Sequence, residues 1–227
     1  MNSFKGMRFA ADIIITAVRW YISYQLSYRD VREMLVERGV SVHHSNVFRW
    51  VMKYVPKLEK RFREHKKPVG RSWRMDETYV RVGGEQKYLY RAVDKEGNTV
   101  EFLLTARRNA KAARRYLRKA MRTSGRPLKI NIDKSAASTA AIKAHNKESR
   151  SRVHLRRVKY LNNIVEQDHR PVKRKMRAMM GFKKFHTARI TIAGIEMVNM
   201  LRKGQMRSPD GEQTNWVDQF FSLAFAT

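Results

Sequence analysis

The sequence predicts an α/β protein: a domain built on a mixed five-stranded sheet, preceded by a small all-α domain. Three observations point there. Residues 8–65 carry apolar residues at helical spacing. Residues 72–105 switch to strand-like alternation, broken at Gly83-Gly84 and Gly97-Asn98. Beyond residue 109, helical and strand patterns alternate, which requires crossover connections and parallel strands.

The N-terminal helices come first. Phe9, Ile13, Ala17, Trp20, Tyr21 and Tyr24 give an amphipathic helix over 8–24. Ser27 suits the N-cap of a second helix carrying Val31, Met34 and Leu35, and Gly39 ends it. A third helix starts near Ser45 with Val47, Phe48, Trp50 and Val51, and Pro56 should kink or restart it. Helix, glycine turn, helix at this length is a helix-turn-helix pattern, whose second helix enters the major groove. His44, Ser45, Asn46 and Arg49 would meet base edges there, with Lys53 near phosphate. Trp50 and Phe48 read as core. Lys66-Lys67-Pro68-Val69-Gly70 reads as a linker.

Strands follow at 72–82, 88–93 and 99–105. Asn109 opens a helix with apolar residues Ala113, Tyr116, Leu117, Ala120 and Met121, stopped by Gly125 and Pro127. A fourth strand, 128–132, ends at Asp133; a helix over 136–147, a strand near 153–155 and a helix after Asn163 complete the order. A right-handed crossover lays the fourth strand parallel to an earlier one. Paired with the first, it makes Asp76 and Asp133 neighbours, and the last helix can bring Glu166 to the same edge. That arrangement is ribonuclease-H-like.

Composition narrows the partners. Lys and Arg number 49 against 20 Asp and Glu, a formal +29. The excess is spread: 14 basic to 6 acidic in residues 1–70, 17 to 7 in 71–134, and 18 to 7 in 135–227. Such a surface suits a long polyanion, nucleic acid first. There is no cysteine, which excludes disulfides and cysteine zinc sites and fits a reducing cytoplasm. No stretch reads as a signal peptide or membrane span, and no Gly-Lys-Ser/Thr loop suggests ATP.

Three carboxylates are the chemical candidates. Asp is a poor strand former, so Asp76 inside a strand suggests function. Asp76, Asp133 and Glu166 would offer hard oxygen ligands to Mg²⁺ or Mn²⁺. Two such ions about 3.5–4 Å apart can serve the attacking and leaving oxygens of a phosphodiester. Lys173, two turns after Glu166 on one helix face, could contact phosphate, and Arg170 and Arg174 add positive charge beside it. Other roles stay open. Asp133 also suits a helix N-cap, and Asn163 followed by Glu166 resembles a capping box. Asp168 reads as a helix-start charge, His169 as a substrate contact or a packed ring, and Pro171 as a kink.

Several ordered motifs then carry a resemblance. They are Met1-Asn2-Ser3-Phe4-Lys5-Gly6, Ala17-Val18-Arg19-Trp20-Tyr21, Leu26-Ser27-Tyr28-Arg29-Asp30, Glu37-Arg38-Gly39-Val40, Phe48-Arg49-Trp50-Val51, Met75-Asp76-Glu77-Thr78-Tyr79 and Tyr88-Leu89-Tyr90-Arg91-Ala92-Val93-Asp94. Lys159-Tyr160-Leu161-Asn162-Asn163 runs on into Glu166-Gln167-Asp168-His169-Arg170-Pro171, and residues 183–204 resemble a closing helix. Together, to about residue 205, the chain resembles the bacterial insertion-sequence-six family of DDE transposases. The resemblance implies Asp76, Asp133 and Glu166 as catalytic triad, with Lys173 as the basic residue after the Glu. It implies a helix-turn-helix that recognises terminal inverted repeats, and movement by a replicative, cointegrate-forming route. Partners would be double-stranded DNA, both terminal repeats and target, and at least a second copy of the chain; the setting would be the bacterial cytoplasm, at the nucleoid. The expected domains are 1–65 helical, 66–70 linker, 71–204 catalytic and 205–227 a variable tail. One departure stands out: the family usually has Ala-Pro after the second Asp, and here the text is Lys134-Ser135-Ala136. An alternative function is a helix-turn-helix regulator without catalysis, an inactive copy. A third is a nuclease that cuts without joining.

Overall fold

The structure is a computed structural model that describes residues 4, 6–133, 135–149, 152–179, 181–207 and 214–225. It folds as two units, Pro68–Pro171 and Met1–Lys67 with Val172–Thr227.

The first unit is helical. Its N-terminal helices are α1 (Ala11–Ser23), α2 (Tyr28–Val36) and α3 (His44–His65). Ser27 caps α2 in a reciprocal box: its hydroxyl accepts from the Asp30 amide, and the Asp30 carboxylate accepts from the Ser27 amide at 2.7 Å. Gly39 takes φ +75°, the left-handed conformation that turns the chain toward α3. α3 runs unbroken through Pro56, where the sequence predicts a kink or restart. The missing hydrogen bond costs about 3 kcal/mol, but Tyr54, Val55, Leu58 and Phe62 are all buried around it. Trp50 is core as expected; Phe48 is not, being 37% exposed and edge-on to Tyr28.

The strand-rich unit has β1 (Ser72–Val82), β2 (Glu85–Val93), β3 (Thr99–Thr105), α4 (Ala110–Ser124), β4 (Lys129–Ile132), α5 (Ala136–Glu148) and β5 (His154–Arg156). The sheet order is β3-β2-β1-β4-β5, with β1, β2 and β3 antiparallel and β4 and β5 parallel to β1. This mixed order, with a crossover helix after β3 and another after β4, is the ribonuclease-H-like fold. One sheet face packs Trp73, Met75, Tyr90, Ile130 and Ile132 against Ala113, Tyr116 and Leu117 of α4 and Ala141 and Ile142 of α5. That face is the unit's apolar core.

A 3-10 turn (Lys159–Asn162) leads into α6 (Asn163–Ala178), which begins in this unit and ends in the helical one. Pro171 lies inside α6 without ending it. The helix keeps one buried row, Val165, His169, Val172 and Met176, on both sides of the proline. α7 (Phe185–Arg202) belongs to the helical unit, packed against α1 and α3; a Cβ on its Gly194 would stand 3.0 Å from Ile22 and 3.1 Å from Val55. α8 (Trp216–Phe225) closes that unit, where sequence patterning gives only a variable tail. The Arg61 guanidinium holds its end by donating to the Leu223 and Ala224 carbonyls.

The 66–70 segment is pinned at both ends. The Lys67 amide donates to the Gln205 carbonyl at 2.8 Å within the helical unit, and the Gly70 amide donates to Asp94 at 2.8 Å within the other.

Candidate active site

Register alone makes Asp76 and Asp133 neighbours. Met75 pairs with Ile132 between parallel β1 and β4, and each aspartate is the next residue. Strands lie about 4.8 Å apart, so both carboxylates sit on one face at adjacent strands. That face is opposite to the apolar one, because side chains alternate along a strand.

α6 covers this face, and two of its consecutive residues grip cross-strand neighbours. Asp76 pairs with Arg91 across β1 and β2. His169 Nε2 lies 3.2 Å from Asp76 Oδ2, and the Arg91 guanidinium donates to Asp168 Oδ2 at 2.7 Å. Arg91 is fully buried, Asp168 nearly so, and His169 is 2% exposed. Asn131 fixes the approach of the helix. Its amide donates to the Val158 carbonyl at 2.9 Å and to Asn162 Oδ1 at 2.6 Å, and its oxygen accepts from the Val158 amide.

Glu166 lies one turn before His169 on α6 and is exposed. Asn163, three residues earlier, is already helical at φ −53° and ψ −34°, so it is no N-cap and Glu166 closes no capping box. Asp133 does not cap α5; Ser135 does, accepting from the Ser138 amide. Instead, Asp133 Oδ1 accepts from the Ser135 amide at 2.9 Å. One oxygen of Asp133 is thus held by a backbone donor, while Asp76 has the His169 ring beside it. Lys134 itself lies outside the described residues.

Glu77 was not foreseen. It is buried beside the two aspartates and ion-paired with Arg108. Burial pushes its carboxyl up, Arg108 pulls it back, and Asp76 and Asp133 push it up again. The Ser135 hydroxyl also reaches it, at 3.5 Å. Among the residues sequence reasoning missed, Asn131 did leave a signal: an amide between two buried isoleucines of one strand, which needs a partner.

Two hard carboxylates on adjacent strands, one inside β1 and one just past β4, suit a divalent cation in donor chemistry. Among the described residues, however, no three His, Asp or Glu side chains stand close enough to share one ion. The expected meeting of Asp76, Asp133 and Glu166 within a few ångströms is therefore not reached here: Glu166 stays on the solvent side of α6. Lys173, Arg170 and Arg174 follow it along the helix, all exposed.

In the helical unit, the residues at the start of α3 are polar and accessible. His44, Ser45 and Asn46 are half-buried, and Arg49 is exposed with its guanidinium donating to Asn46 Oδ1 at 3.2 Å. His43, at the N-cap, places Nδ1 2.9 Å from the Ser45 hydroxyl. Lys53 is exposed above the Tyr54 ring. Burial first, then the charges of His43, Arg29 and Arg32, lowers the His44 pKa.

A ribonuclease-H-like sheet carrying paired aspartates on its β1 and β4 strands defines a class of enzymes that act on nucleic-acid backbones. Comparison makes the class specific. Residues 70–205 match the DDE domain of IS240-type transposases. The chain is 39% identical over 210 residues, 92% of each chain, to the transposase for insertion sequence-like element IS431mec of Staphylococcus aureus strain Mu50. It is equally similar, over the same shares, to the transposase for insertion sequence element IS257 in transposon Tn4003 of Staphylococcus aureus. The chain belongs to the insertion-sequence-six family of DDE transposases, enzymes of the polynucleotidyl transferase type. Among solved structures it is similar to the HTLV-2 integrase catalytic core domain in complex with magnesium, trimeric form: TM-score 0.45, 14% identity, 65% of this chain and 95% of that one. It is also similar to the catalytic core domain of BIV integrase: TM-score 0.42, 15% identity, 67% and 95%.

Proposed function

We propose that this transposase binds the terminal inverted repeats of its element through α2 and α3, and cleaves and joins DNA strands with Asp76, Asp133 and Glu166 holding Mg²⁺ or Mn²⁺. When bound, the metal supplies charge for the attacking and leaving oxygens of the phosphodiester. The observation that carries the reading is the register of β1 with β4, which makes Asp76 and Asp133 neighbours on the face that α6 covers. His169 packs against Asp76, and Glu166 is one turn away on the same helix. Lys173, with Arg170 and Arg174, grips phosphate along the exposed side of α6. At the start of α3, His44, Ser45, Asn46 and Arg49 read bases, and Lys53 meets the backbone. The functional division is a repeat-binding segment over 1–65 and a catalytic one over 71–204. Two copies hold the two element ends, and the route is replicative, through a cointegrate.

The test is strand transfer from pre-cleaved repeat ends into a plasmid, with Mg²⁺. Asp76→Ala should lower it about 10³-fold or more, since metal stabilisation of the transition state amounts to several kcal/mol. Binding to terminal repeats should persist. Undiminished strand transfer in Asp76→Ala would sink the proposal.

A second reading, a repeat-binding regulator without catalysis, is favoured by Glu166 standing apart from the aspartates and by Ser135 holding Asp133. In that case the wild-type chain shows repeat binding, no strand transfer, and no change on Asp76→Ala.

A further inference from the structure

α4 carries six basic residues and no acidic one. Two are engaged: Arg114 pairs with Glu148, and Lys119 reaches Glu101 at 3.2 Å and the Phe102 carbonyl at 2.9 Å. The other four, Lys111, Arg115, Arg118 and Arg122, are exposed, and none meets a carboxylate among the described residues. Their spacing of four, three and four residues puts them in one row along the helix. The row spans eleven residues, or about 16 Å. The opposite side, Ala113, Tyr116, Leu117 and Ala120, is buried against the sheet, so the row must face outward.

Like charges three and four residues apart destabilise a helix, and Lys111 adds a cation where the helix dipole is already positive. Packing does not require these four positions to be basic, because none of them touches the core.

The row is also placed with respect to the acids. β3 runs parallel to β1 and β4, so its C-terminal end lies at the sheet edge where Asp133 sits. α4 starts from that edge, where Arg108 pairs with Glu77, and runs back along the face opposite to Asp76. A polyanion lying on the row would thus pass from the acid-bearing edge along the far side of the sheet.

We propose that Lys111, Arg115, Arg118 and Arg122 form a second DNA-binding surface, which holds the sugar–phosphate backbone of duplex DNA without reading its sequence. The surface fits duplex DNA because its cations are in line at helical intervals, on an enzyme whose family acts on DNA. It requires neither the metal triad nor base reading by α3, so Asp76→Ala protein retains it.

The test uses the full chain and fluorescence anisotropy over a salt series. The probes are two duplexes of about 30 base pairs, some three helical turns: one of random sequence, one of the element's terminal repeat. Each lost phosphate contact lowers the slope of log K against log salt by about 0.9. Arg115→Gln/Arg118→Gln should lower it by about 1–2, and the fourfold Gln variant by about 2–4. The matched control is Lys143→Gln/Lys147→Gln, which removes the same charge from exposed positions of α5. It should leave the slope unchanged, and circular dichroism melts should show all variants folded. A slope loss with the random duplex assigns the row to target or flanking DNA; a loss confined to the repeat duplex assigns it to the element end. No loss in the α4 variants, or an equal loss in the α5 control, overturns the proposal.

Discussion

Asp168 and His169, consecutive on α6, each hold one of two residues that face each other across β1 and β2. Asp168 takes the Arg91 guanidinium at 2.7 Å, and His169 Nε2 stands 3.2 Å from Asp76 Oδ2. The helix that bears Glu166 is thus docked through polar contacts on the strand pair that bears Asp76.

Removing the charge of Asp168 takes away a carboxylate to which the fully buried Arg91 guanidinium donates. Asp168→Asn should cost about 3 kcal/mol, read as a lower urea midpoint with unchanged slope. Replacing both partners with apolar residues, Arg91→Met/Asp168→Leu, should recover most of that loss. If Asp168→Asn melts like the wild type, the pair does not anchor the helix.

Ser135 has φ −63°, a value proline adopts freely. Ser135→Pro deletes the amide that holds Asp133 Oδ1, along with the hydroxyl cap of α5. The lost cap should cost about 1 kcal/mol. The freed carboxylate should bind Mn²⁺ more tightly by titration calorimetry, several-fold or more. Unchanged Mn²⁺ affinity would show that the amide does not restrain the site.

In the helical unit, Lys175 is 6% exposed, with its ammonium 5.2 Å from the Tyr21 ring and no hydrogen-bond acceptor among the described residues. Burial lowers its pKa to about 8, against a weaker opposing pull from Asp30. The unfolded chain therefore binds more protons between pH 8 and about 10.4, and stability from this group rises with pH across that window. Lys175→Met should flatten the rise and stabilise the protein below pH 8. Chemical denaturation at pH 7 and pH 10 checks both signs.

Gly194 is where α7 meets Ile22 of α1 and Val55 of α3, with room for little more than a hydrogen. Gly194→Ala should be close to neutral, a helix-propensity gain of up to about 1 kcal/mol offset by crowding. Gly194→Val should lose about 2 kcal/mol through overpacking. Thermal melts that rank the valine variant equal to alanine would contradict this packing.

Much of the fold was legible because its signals are local. Alternation marked β1 and β3, Asn109 capped α4 as its chemistry suggests, and Ser27 capped α2. An aspartate inside a strand marked Asp76. What was not legible depends on distant partners. Arg91 and Asp168 look like ordinary surface charges in so basic a chain, yet they are 77 residues apart and buried together. That α3 continues through Pro56 without restarting has a related reason: the local penalty is visible in the text, while the offsetting burial of Val55, Leu58 and Phe62 around Pro56 comes from tertiary packing. α7 is apolar nearly all round, so its pattern names no single partner, and its neighbours α1 and α3 come from the far end of the chain.

Pro171 has no amide hydrogen, so the carbonyl of Gln167, four residues back, lacks its usual helical donor. The missing rung lies just past the turn that presents Glu166. A helix short of one bond at that point leans on its side chains instead: the Asp168–Arg91 pair and the buried Val165 and His169 hold the turn that bears Glu166 where the backbone ladder alone is one rung short.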